Sequence, residues 1–149
     1  MRKGDHTHMS IDTAPIIQSC YDLTLNVLRI TEHFPRSARH ILGNRIVQSS
    51  QDILELLARC NCSTDIERRI GLLEDGNERL FSLQLSIRLA YDVRCLSAGA
   101  HAQLSNRLEL IRKQLNGWLR WSREQCARRG KNENSHLPNC SNDITLPGH

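Results

Sequence analysis

The chain has 149 residues, 39% of them hydrophobic and only 4% aromatic, with a formal charge of +4 and a pI near 8.9. That length suits one domain with a core of its own and no need of disulfide or metal staples. No apolar run approaches the roughly 20 residues that span a bilayer, and the start, MRKGDHTHMS, lacks the apolar middle of a secretory signal, so the expectation is a cytoplasmic protein with no membrane partner.

Residues 1–13 carry no apolar periodicity and read as a flexible N-terminal segment. Pro15 suits a first helical turn, and from it Ile16 to Phe34 places Leu23, Val27, Ile30 and Phe34 at helical spacing. FPRS breaks that helix at Pro35, and Ser37 is the expected cap of the next. The second helix, from about Ala38 to Cys60, would bury Leu42, Ile46, Ile53 and Leu57. Thr64 to Glu67 then has the spacing of a capping box, in which hydroxyl and carboxylate satisfy each other's free backbone N–H groups.

The third helix is predicted from about Asp65 to Cys95, with Gly71 and Gly76 weakening its first half. One stripe runs through Ile66, Ile70, Leu73, Leu80 and Ile87, and a second through Phe81, Leu85 and Leu89. A single internal core needs only about a 100° stripe, so the surplus points to a second packing partner. Ser97 is the expected cap of a fourth helix, from about Gly99 to Cys126, where Leu104, Leu108, Ile111, Leu115 and Trp118 fall in one stripe. That stripe assigns Trp118 to the core rather than to base stacking. Trp121 sits on a flank, at the edge of the core or in a contact with another subunit.

After Cys126 the periodicity fades and Asn, Pro and Gly increase, so residues 127–149 read as a disordered tail and 14–126 as the folded unit. Short connections favour an all-α, antiparallel up-down-up-down four-helix bundle.

The six cysteines are scattered, with Cys-x-Cys at Cys60 and Cys62 the only close pair, and paired CxxC motifs are missing. Cys20 and Cys95 read as small thiols within helices. Of the seven histidines, His6, His8, His136 and His149 fall in the terminal segments, and no HxxxH occurs. No metal and no cofactor are expected. There is no Gly-rich phosphate loop, no GxSxG and no facing Glu-x-x-His pair, so no enzyme is expected either. Asp92, beside the wide apolar face, has Arg88 four residues before it and reads as half of a structural ion pair or as an interhelical hydrogen bond.

Arginine is what the sequence does concentrate. Arg36, Arg39 and Arg45 lie around the first turn and the early second helix; Arg79 and Arg88 lie on the third helix; Arg107, Arg112, Lys113, Arg120 and Arg123 lie on the fourth. The planar guanidinium suits bidentate phosphate contacts, although any one of these residues can equally be solvated helix surface. Near the fourth helix they outnumber Glu109 and Glu124, which predicts a local positive field.

FPRSARHILGNRI, IRLAYDVRCLS and IRKQLNGWL stand in an order and spacing that resemble the accessory variability determinant, Avd, of diversity-generating retroelements, and the related bacterial proteins encoded in 23S rRNA intervening sequences. The likeness covers about Pro15 to Arg123. It implies a four-helix bundle assembled as a homopentameric ring with a basic surface; five copies at +4 each would bring about +20 together. It also implies a non-enzymatic partner of the retroelement reverse transcriptase, bound to it and to template RNA or cDNA in synthesis that is mutagenic at template adenines. Phe34, Pro35, Leu42, Gly43, Leu89, Ala90, Asp92, Leu96, Gly117 and Trp118 match framework positions, and Arg36, Arg39, Arg88 and Lys113 match basic ones. Arg112 and Asn116 stand where the family is richer in glycine, and His101 where tyrosine is common. The expected nucleic-acid and partner contacts are Arg36, Arg39, Arg79, Arg88, Arg107, Arg112, Lys113, Arg120 and Arg123. The rival is an oligomeric bundle of the intervening-sequence type, with a structural role and its charge only solvated surface.

Overall fold

Pro15 occupies the first turn of α1 (Pro15–Thr31), where its missing N–H has no intrahelical partner to lose. The structure, a computed structural model, describes residues 14–134. The expectations for residues 1–13 and 135–149, with Cys140, His6, His8, His136 and His149, lie outside those residues. Ile16, Cys20, Leu23 and Val27 are buried along one face of α1. Two threonines on the same face satisfy their hydroxyls within the helix, Thr24 Oγ1 donating to Cys20 O at 2.9 Å and Thr31 Oγ1 to Val27 O at 2.9 Å.

Phe34 turns inward from the short connection, and the second helix starts at once, two residues earlier than expected. We take residues 36–62 as α2: a turn Arg36–Ala38, a π-helical turn Arg39–Gly43, and the regular stretch Asn44–Cys62. Pro35 holds the cap position with no side-chain bond, so Ser37 lies inside the first turn and does not cap it. The π turn adds a residue to one turn of helix. Ile41 is thereby left 80% exposed and Leu42 only half-buried, while Ile46, Ile53 and Leu57 enter the core.

Asp65 is the N-cap of α3 (Ile66–Asp92), its carboxylate accepting from Glu67 N at 3.0 Å and Arg68 N at 3.3 Å. The cap therefore falls one residue after Thr64, which the capping-box spacing had favoured. Neither glycine interrupts α3. An added Cβ at Gly76 would stand 3.1 Å from Leu115 Cδ1, so this glycine lets α3 approach the last helix closely, whereas Gly71 faces open space. α4 (Ala98–Asn134) starts as expected, Ser97 Oγ accepting from Ala100 N at 3.1 Å. It continues eight residues beyond the expected end at Cys126, so 127–134 are helical.

Each helix packs on its sequence neighbours, and α1 also packs on α4. Short turns and this closure make the up-down-up-down bundle, with α1 and α3 at opposite corners. The core runs through Leu23, Leu57, Leu80, Leu108 and Ile111. On α4 the buried line continues through Leu115, Leu119 and Ser122 rather than Trp118. Trp118 lies about 60° from the middle of that line at 100° per residue, which explains why it is half-buried at the edge and not in the core. Burial pushes the Cys20 thiol up to about 12 and the Cys60 thiol to about 11, the latter opposed by Arg69. Both stay protonated near neutral pH. Among the described residues no helix is long and apolar enough to cross a membrane.

Candidate functional site

Up-down topology puts the α1–α2 and α3–α4 turns at one end of the bundle, and with them much of the predicted basic set. Arg36 stands exposed in the first turn of α2 with no ion pair among the described residues. Arg39, in the π turn, points its guanidinium back to α1, donating to Glu32 O and to Phe34 O at 3.3 Å. It thus satisfies carbonyls at the end of α1 that have no helical partner. Arg88 pairs with Asp92 at 3.1 Å, as its spacing predicts, and its guanidinium lies 5.7 Å from the Tyr91 ring. Tyr91 in turn stacks on His101, centroids 4.5 Å apart, joining α3 to α4 across their turn.

Arg94, which sequence reasoning passed over, belongs to the same end. Among the described residues it is the non-glycine residue with positive φ, 62°, and it ends α3 as Arg94 N donates to Tyr91 O at 2.9 Å and Cys95 N to Ala90 O at 2.8 Å. Its side chain is exposed and has no ion pair among the described residues. The sequence offers no glycine or asparagine there to mark a left-handed helix end.

The remaining predicted residues do not converge with these. Arg79 bridges helices, 3.0 Å from Asp75 and 3.9 Å from Asp52. Arg112 bonds Glu109 at 3.1 Å and Gln84 across the α3–α4 seam, and Arg123 reaches Glu74 at 2.6 Å along that seam. Arg107 is half-buried without an ion pair among the described residues. Lys113 and Arg120 point outward and are likewise unpaired.

The predicted residues therefore divide into those held by internal partners, Arg39, Arg79, Arg88, Arg112 and Arg123, and those left open, Arg36, Arg107, Lys113 and Arg120. Exposed ion pairs of this kind are worth at most about 1 kcal/mol, so Arg79, Arg88 and Arg123 could exchange a carboxylate for a phosphate at small cost. Lys113 and Arg120, seven apart, share the outward ridge of α4 with Lys131, eleven residues further on and also exposed. Lys131 was missed because α4 was expected to end before it.

Of the tryptophans, Trp118 has Arg69 6.0 Å from its ring, and Trp121 is 48% exposed. No described group of three or more His, Cys, Asp and Glu side chains is placed to hold a metal ion.

Residues 15–122 match the family described as bAvd-like, a span that contains α1, α2 and α3 entire and most of α4. No curated protein matches the chain.

Proposed function

Because the chain belongs to the bAvd-like family, we propose that it is the accessory subunit of a diversity-generating retroelement, binding the reverse transcriptase and template RNA or cDNA as a homopentameric ring and catalysing nothing itself. At family level it is an Avd-type accessory protein, and the match over residues 15–122 is the observation that carries the reading. The unpaired side chains of Arg36, Lys113 and Arg120, with Arg94, supply the phosphate contacts. They are exposed, separated along the bundle, and set on rigid helices or their ends, an arrangement suited to tracking a phosphate backbone without reading bases. Arg79, Arg88, Arg107, Arg112 and Arg123 add to the field, while Arg39 holds the α1–α2 turn.

A gel-shift titration of the purified protein against structured RNA at two salt concentrations tests this, with the variant Arg36→Glu, Lys113→Glu, Arg120→Glu beside it. The expected result is affinity that falls steeply with salt, and at least a roughly tenfold drop in the folded variant. Salt-independent affinity, or normal binding by that variant with its helicity intact, would sink the phosphate-contact reading. An oligomer indifferent to both RNA and the reverse transcriptase would favour the structural bundle of the intervening-sequence type.

A further inference from the structure

Phe81, Leu85 and Leu89 stand on the outer side of α3, with Val93 at its C-cap, and are 59%, 54%, 53% and 53% exposed. Their four-residue spacing makes a continuous ridge about 18 Å long at 1.5 Å per residue. Ile41, turned out by the π turn, widens it from the α2 side, and a groove there brings Ile41 and Arg45 together with Leu85 and Leu89. An apolar strip of this size on one helix face is what a packing partner covers.

A second unpartnered apolar surface lies elsewhere on the same chain. Tyr21, Leu25 and Leu28 of α1 and Leu54 of α2 line a groove with Glu55 at its rim; Tyr21 is 51% and Leu28 38% exposed. A ridge of residues four apart on one helix can pack into a groove between residues of others, and both surfaces are apolar. They match in charge too. Arg45 beside the ridge and Glu55 beside the groove are both without an ion pair among the described residues.

The ridge is carried by α3 and the groove by α1 with α2, and α1 and α3 occupy opposite corners of the bundle. The two surfaces cannot cover each other within one chain. We propose that the α3 ridge of one copy seats in the α1–α2 groove of the next, with Arg45 opposite Glu55. Such a contact joins two different faces, so it does not close as a two-fold dimer but passes from copy to copy, as the ring proposed above requires. This rests on the self-assembly part of the function proposed above and adds which faces meet.

Light scattering on the full chain and two variants tests it. Leu85→Asp with Leu89→Asp breaks the ridge, and Tyr21→Asp with Leu28→Asp breaks the groove; all four side chains are exposed, and circular dichroism checks that each variant is folded. Each variant alone should be a monomer. Mixed in equal amounts they should form a dimer and nothing larger, because one intact ridge meets one intact groove. Arg45→Glu and Glu55→Arg should each weaken assembly by itself and restore it when combined in one chain. An unmutated protein that is monomeric at tens of micromolar overturns the self-assembly reading itself. An unmutated protein that assembles while either folded variant keeps its full mass, or while the mixture yields no dimer, overturns only this pairing of faces.

Discussion

Arg94 holds φ at 62°, a left-handed conformation in which its Cβ crowds the backbone, because the chain must reverse sharply between α3 and α4. Glycine is the residue this position favours. Arg94→Gly should therefore raise stability by about 1 kcal/mol, read as a higher urea midpoint. An unchanged or lower midpoint would mean that the guanidinium contributes more to the turn than the backbone strain removes. The same substitution takes away an exposed cation, so a stability gain accompanied by weaker RNA binding is the pattern expected of a residue kept for binding. What could be read at the scale of single residues varied with the kind of interaction. Arg88 and Asp92 could be paired from their spacing because both sit on one helix. The bonds of Arg112 to Gln84 and Arg123 to Glu74 cross between helices and depend on register, which spacing along one helix does not encode.

At the level of elements, the start of α3 shows how a correct boundary can carry the wrong cap. Ser63, Thr64 and Asp65 are consecutive residues with capping side chains, and any of them satisfies the composition rule. The backbone decides: Asp65 has φ −81° and ψ 117°, outside the helix, and its carboxylate meets two N–H groups of the first turn. Asp65→Ala should cost about 1 kcal/mol of stability, within the range of about 0.5–2 for lost caps, and Thr64→Ala only a few tenths. Equal losses in the two variants, measured by thermal or urea denaturation, would contradict this assignment. The four helices themselves, and the surplus apolar stripe of α3, were readable because 3.6-residue periodicity survives in every one of them. The π turn at Arg39–Gly43 was not, since a single extra residue shifts the phase without leaving a compositional mark. Trp118 was misplaced for a related reason: it lies at the edge of the stripe, and Leu119 beside it could claim the core position only once the direction of packing was known.

The molecule as a whole, across its described residues, ends on its longest helix, whose last turns lie beside the start of α3. α4 has 37 residues against 27 in α3, and at 1.5 Å per residue that difference makes α4 about 15 Å longer. Residues 127–133 are exposed, lie beyond the residues 15–122 that match the family, and carry Arg128, Arg129 and Lys131 with Glu133, while Arg129 shares a groove with Asp65 and Glu67 of the α3 start. A helix end that buries so little contributes almost nothing to the core, and its charge is available to a polyanion. Arg128→Gln, Arg129→Gln and Lys131→Gln in one chain should leave the melting temperature within about 2 °C, as surface substitutions do. RNA binding should weaken, and the dependence of log affinity on log salt should become shallower by about 0.7–0.9 for each phosphate that is no longer neutralised. A slope that does not change would take the last turns of α4 out of the interface and confine it to the surface where Arg36, Arg94, Lys113 and Arg120 stand. A slope shallower by about two or more would mean that the last turns of α4 extend the basic surface, and that the RNA follows the outward ridge from Lys113 through Arg120 to Lys131.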